Sequence, residues 1–267
     1  MSRAEEKIGT RRVEVLGVAV DPLTRDGLCA RVAELARKDR ERPATVLNVN
    51  AHALNLVRRE EGLRRALAEA DVVFADGFGV VLAARLAGGR LPGRITYADW
   101  AWDLARLAEA EGLSVFLLGA RPGVAERAAG RLLGACPKLR VAGTHHGYFD
   151  RRPESRENRE VLERIREAAP DLLLVGLGMP AQEDWISRNR DRIEARVALS
   201  CGAAFDYVSG ELRRGPVFLR ENGFEWLARL LIDPGRLWRR YLLGNPVFLA
   251  RALGAAVRAR TRGKRSA

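Results

Sequence analysis

"DVVFADGFG", residues 71–79, sets the apolar run Val72-Val73-Phe74-Ala75 between two aspartates and follows the second, Asp76, with Gly77 and Gly79. An unbroken apolar run of this length suits a β-strand buried on both faces, as in parallel sheets, rather than a strand with one wet face. A carboxylate at its end then stands where open α/β sheets hold their ligands, beyond the carboxyl ends of the strands. The glycines let another group approach the backbone closely.

Runs of the same kind recur on both sides: "VEVLGVAV" (13–20), "TVLNVN" (45–50), "SVFLLGA" (114–120), "RVAGTHH" (140–146), "DLLLVGLG" (171–178) and "RVALSCG" (196–202). Segments of helical period lie between them, among them 24–38, 54–68, 98–111, 124–133 and 157–168. The alternation predicts an α/β fold, with βα units around a mostly parallel sheet and helices on both faces.

After residue 210 the strand signal stops. Residues 211–267 predict two or three helices separated by "DPG" and "GNP" and ending in a basic tail, so the chain divides into an α/β core, 1–210, and a C-terminal helical appendage, 211–267. Of the net charge of +12, the appendage carries +9. There Trp226, Leu230, Leu231, Trp238, Tyr241 and Phe248 are interleaved with Arg229, Arg236, Arg239, Arg240 and Arg251. Such helices suit an anionic membrane surface, arginine stems along the apolar face and heads on phosphates; they equally suit helices docked on the core with solvated arginines. No apolar stretch is long enough to span a bilayer and the N-terminus has no signal-peptide pattern, which predicts a cytosolic protein. The three cysteines, Cys29, Cys136 and Cys201, and three histidines have neither disulfide nor zinc spacing.

The predicted strand ends gather Asn48 and Asn50, Asp76, Gly119 and Gly123, and Gly176 with Gly178, Pro180 and Gln182. Each alone reads as a tight turn or helix cap; their coincidence at one edge carries the functional reading. Transfer from a nucleotide-activated sugar would need a base for the acceptor hydroxyl and cations for the leaving diphosphate. Asp76 is placed to be that base. Arg94 from the core, and Arg229, Arg236 and Arg239 from the appendage, offer planar forks that pair two phosphate oxygens at once. No DxD pair appears mid-chain, so the arginines would stand in for a metal.

The stretches "LNVNAHALN", "ADGFGVV", "GRITYADW", "FLLGARPGVAERAA", "PDLLLVGLGMPAQEDWI", "CGAAFDYVSGELRRGP" and "FEWLARLLIDPGRLWRRY" resemble, in order, the motifs of the WecG/TagA/CpsF glycosyltransferases, glycosyltransferase family 26, over about residues 13–243. The resemblance implies a Rossmann-like core and an inverting, metal-independent enzyme with no resident cofactor. Such an enzyme moves a sugar, often N-acetylmannosamine, from a UDP-sugar to a polyprenyl-diphosphate-linked N-acetylglucosamine at the cytoplasmic face of the membrane. It implies Asp76 as base, Asn50, Arg94 and Gln182 lining the pocket, and Arg229, Arg236 and Arg239 on the diphosphate. Where members usually carry threonine this chain has Asn48, whose amide offers a donor sugar different partners from a hydroxyl. Teichoic acid linkage, common antigen, capsule and exopolysaccharide are all served by relatives, and homo-oligomerisation through the appendage is left open.

Two rival readings have sequence support. "GLGMPA" (176–181) fits a dinucleotide fingerprint of an NAD-dependent oxidoreductase, but Pro180 interrupts it and the next strand ends without the acidic residue that binds ribose. The pI of about 10.6 suits a nucleic-acid-binding protein. Against it, the aromatic residues of the basic segment fall on apolar helices rather than on a stacking platform, so no nucleic-acid partner is expected.

Overall fold

Residues 13–20 form a hairpin, not a strand of the main sheet. β1 (Val13–Val15) and β2 (Val18–Val20) pair antiparallel, and the chain reverses through Leu16 (φ 52°) and Gly17 (φ 90°), the pair of positive values a two-residue hairpin loop demands. A computed structural model describes residues 11–221 and 223–265, with the side chains of 220, 221, 236 and 259–265 outside the description.

The remaining runs become β3 (Ala44–Val49), β4 (Val72–Ala75), β5 (Ser114–Gly119), β6 (Arg140–His145), β7 (Leu172–Gly176) and β8 (Val197–Ser200). All six are parallel, in the order β4-β3-β8-β7-β5-β6. Alternate residues serve opposite faces: Val46, Val72, Phe74, Leu117, Leu174 and Leu199 enter one core, and Leu47, Val49, Val73, Leu118, Val175 and Ala198 the other.

On the first face pack α1 (Arg25–Arg37), α5 (Tyr97–Glu111), α6 (Val124–Ala135) and α9 (Ala204–Ser209). On the second lie α2 (Ala51–Leu56), α3 (Glu61–Glu69), α4 (Phe78–Leu86), α7 (Arg156–Ala168) and α8 (Ala181–Asn189). The expected helix over 54–68 is therefore two helices. After Val57 the apolar repeat lapses, Arg58, Arg59 and Glu60 are exposed, and the next buried side chain is Leu63.

Beyond residue 210 come α10 (Val217–Glu221), α11 (Glu225–Ile232), α12 (Pro234–Trp238), a wide π turn (Arg239–Leu243) and α13 (Gly244–Arg265). "DPG" separates helices as expected, Pro234 taking the first position of α12, where a missing N–H costs nothing. "GNP" does not. Pro246 sits in the first turn of α13, where it lacks the N–H that would reach back to Leu242, and the π turn immediately before it widens the helix instead of ending it.

Phe248 and Ala252 of α13 are buried in the second core, and α13 lies against α2 and α4. An added Cβ at Gly79 would stand 3.3 Å from the Phe248 ring and 3.4 Å from the Ala51 side chain. The close approach that Gly79 permits is thus made by the C-terminal helix of the same chain.

Candidate active site

The chain fills β3 and β4 at one side of the sheet, then crosses to β5 and β6 at the other before returning through β7 to β8. Such a reversal leaves a crevice at the carboxyl ends of the strands on either side of it. Asp76 occupies that crevice, its backbone N–H tied to Val49 O at 2.7 Å. Asn48, one pleat away on β3 and 3% exposed, donates from Nδ2 to Asp76 Oδ2 at 2.9 Å and accepts from Ser200 Oγ at 2.9 Å. The amide that replaces the family's usual threonine is therefore engaged on both sides by the protein.

A cavity of about 1260 Å³ opens over Asp76, walled by Asn48, Asn50, Arg94, Tyr97 and Gly178 from the strand ends and roofed by Glu225, Arg229, Arg239, Arg240 and Tyr241. Burial pushes the Asp76 carboxyl up to about 6; Glu225 acts in the same direction, while Arg229, Arg240 and the Asn48 amide oppose it. The carboxyl is thus poised near neutrality with two guanidinium groups facing it.

The other expected residues fall into three groups. Asn50 lines the cavity but its Oδ1 also caps α2, accepting from His52 N at 3.0 Å and Ala53 N at 3.1 Å. Arg94 lines it and donates to Glu225 at 2.9 Å; Arg214 ties the same carboxylate (3.6 Å) to Asp99, so core and C-terminal helices share one ion network. Arg239 lines the cavity from an exposed position, its guanidinium 5.2 Å from the Trp238 ring centroid. Gln182 and Gly176 stand behind the wall. Gln182 is fully buried and accepts from Gly202 N at 3.0 Å, fixing the loop after β8, and a Cβ on Gly176 would meet Gly202 O at 2.8 Å. The Arg236 side chain lies outside the described residues.

Sequence reasoning missed Arg240, Tyr97, Tyr207 and Glu225. Arg240 is eleven residues beyond Arg229, a spacing that returns to the same helical face after three turns. Burial pulls its pKa down, and burial likewise lowers His52 beside it to about 4, leaving that imidazole neutral. The hydroxyls of Tyr97 and Tyr207 and the Nε atoms of Arg229 and Arg240 are buried without a hydrogen-bond partner among the described residues. Buried donors in that state call for an acceptor, and the cavity is where one would come from.

The expected membrane-facing set also divides. Arg229 and Arg240 turn into the cavity, and Arg251 donates to Leu54 O and to Asn55 Oδ1 (3.0 Å), so these heads are held by the protein. Val217, Phe218, Leu231, Leu242, Val247 and Leu253 remain exposed on the outer side, and among the described residues no helix is long and apolar enough to cross a membrane.

A parallel α/β sheet with a carboxylate and a cluster of guanidinium groups in one switch-point crevice is the layout of a transferase that uses an activated, anionic donor. A model of the glycosyl transferase WecG/TagA/CpsF family matches residues 13–262. The chain belongs to that family and is a glycosyltransferase with a Rossmann-like core. The N-acetylglucosaminyldiphosphoundecaprenol N-acetyl-beta-D-mannosaminyltransferases of Staphylococcus aureus strains MRSA252, NCTC 8325 / PS 47 and COL are each 29% identical to it over 245 residues, 92% of this chain and 93% of theirs.

Proposed function

We infer that the enzyme transfers N-acetylmannosamine or a related hexose from a UDP-sugar to N-acetylglucosamine on a polyprenyl diphosphate, with inversion, in the assembly of a cell-surface polymer such as teichoic acid. The acceptor class rests on the relatives' activity. The observation that carries the mechanism is the pair of buried, unpartnered guanidinium donors facing Asp76 in one cavity.

The acceptor hydroxyl gives its proton to the Asp76 carboxylate as its oxygen forms the new bond at the anomeric carbon. The bond from that carbon to the diphosphate breaks on the opposite face, and its electron pair leaves with the nucleotide. Arg229 and Arg240 receive that charge in a site shielded from water, where fixed cations act most strongly. Arg94 and Arg239 stand at the edges of the same cavity. No resident cofactor enters this scheme, and the cations take the place of a metal. Incubation with a panel of UDP-sugars and a short polyprenyl-diphosphate N-acetylglucosamine, with EDTA present, should yield one product whose mass identifies the sugar. No product from any donor, or a product only when a divalent ion is restored, overturns the respective part of the reading.

The pH dependence follows from Asp76. As a base it must be ionised, so kcat should rise with pH through about 6 and level off above it. Stability runs the other way: the folded state holds this proton up to about 6, the unfolded chain only to about 4, so that share of stability is lost as pH rises across this interval. Asp76→Asn should remove both slopes. A thermal melt series from pH 4 to 8 in which wild type and variant shift in parallel contradicts the assignment.

The outer apolar residues of α10, α11 and α13, with the basic charge of this segment, suit the peripheral face of a membrane on the cytoplasmic side, where the lipid-linked acceptor is anchored. Flotation with anionic vesicles should recover the enzyme at low salt and lose it as salt rises, each nearby arginine contributing about 1 kcal/mol. Equal recovery on neutral and anionic vesicles would remove the electrostatic part.

A further inference from the structure

Behind Asp76 runs a buried chain of hydrogen bonds reaching α8. Asn48 Nδ2 donates to Asp76 Oδ2 (2.9 Å), and Ser200 Oγ donates to Asn48 Oδ1 (2.9 Å) while accepting the Asn48 backbone N–H (3.2 Å). Glu183 lies on the far side of the Ser200 hydroxyl. Its Oε1 accepts from Gln182 Nε2 at 2.7 Å, and its Oε2 is buried with no hydrogen-bond partner. Ser200, Gln182 and Glu183 are 0% exposed.

The direction of these bonds is fixed by their ends. An ionised carboxylate accepts only, so the group of Asn48 nearest Asp76 must be the NH₂, and its oxygen then faces Ser200. Ser200 has one proton, and it goes to that oxygen. On its other side the hydroxyl can only accept, and a carboxyl there supplies a donor only when protonated. Burial favours that state, raising Glu183 to about 7, opposed by bonds from Gln182, the Glu183 backbone N–H and Ser200 and by no cation.

We propose that Glu183 is a positioning residue for the transfer: as the neutral acid it donates to Ser200, Ser200 to Asn48, and Asn48 to the Asp76 carboxylate, so that the base is held ionised and aimed. Donors aligned in one direction polarise one another, which strengthens the last bond of the series. The claim rests on Asp76 being the base.

The test uses the full chain, with kcat, donor KM and the acid limb of kcat measured for Glu183→Met, Glu183→Gln, Ser200→Ala and the Glu183→Met/Ser200→Ala pair. Glu183→Met should lower kcat by about 10- to 100-fold, the worth of a hydrogen bond to a charged group, leave KM nearly unchanged and move the acid limb to higher pH. Glu183→Gln, whose amide still donates to Ser200, should recover most of kcat and restore the limb. The double variant should be no slower than the worse single one, since both cut the same chain. Arg229, Glu225 and Arg240 from the C-terminal helices and Tyr97 from α5 also face Asp76 and are untouched by these changes.

A packing role alone would leave the acid limb in place, so an unmoved limb in Glu183→Met, or losses that multiply in the double variant, overturns the proposal. Should Glu183→Met fail to fold, Ser200→Ala decides by the same limb. Asp76→Asn run alongside separates the two claims: if it still turns over, the base assignment fails whatever Glu183 does, and if it is inactive while the limb stays put in the others, only the relay fails.

Discussion

Asp76→Asn should leave a folded protein that turns over about 100- to 10,000-fold more slowly, the contribution of a positioned general base. The substitution keeps the volume and loses only the ability to take a proton. Asn48 can turn its amide to suit the new neighbour, so the bond between positions 48 and 76 survives in some form. Donor affinity should hold or improve, because the variant removes a negative charge from a cavity that receives a diphosphate. A fall in kcat with an unchanged or lower donor KM is thus the signature, read from steady-state kinetics beside a melting curve. Turnover within a few-fold of wild type would mean that the proton goes elsewhere.

Arg229→Gln should cost about 100- to 1,000-fold in kcat, comparable with removing one preorganised donor from a transition-state charge site. Arg229 sits inside the cavity with its guanidinium 5.7 Å from the Tyr207 ring centroid, a seat that keeps it planar and in place. It also lowers the Asp76 pKa, so its loss should move the acid limb of the rate profile upward as well as weaken donor binding. Arg229→Lys should fall between, since it keeps the charge and loses the fork. If Arg229→Gln changed neither donor KM nor kcat, the diphosphate would have to lie elsewhere, and Arg94 would be the next group to replace.

Much of the fold could be read from the chain because a strand buried on both faces writes itself as an unbroken apolar run, and six such runs became six parallel strands. Residues 13–20 misled because Leu16-Gly17 lacks the usual Asn-Gly or Asp-Gly mark of a hairpin turn. Pro246 misled because a proline breaks a helix only if the turn before it cannot widen, and here it does.

At the site, Asp76 was legible from its place after a strand, whereas Arg240 was not, since the phase between α11 and the π turn depends on how Asp233 and Pro234 bend the chain. The partners of Asn48 were beyond any local reading, because Asp76 is 28 residues away in the chain and Ser200 is 152. Gln182 was legible as important but not as what it is, a buried brace for the Gly202 loop.

The base is contributed by the first third of the chain and the counter-charges by its last part, which is seated through Phe248 on Gly79. During synthesis, therefore, the nucleophile-activating half exists long before the half that eases the nucleotide's departure. A ribosome that stops early releases a polypeptide unable to squander activated sugar, and the finished enzyme switches on only when its final helix has left the exit tunnel and closed over the crevice.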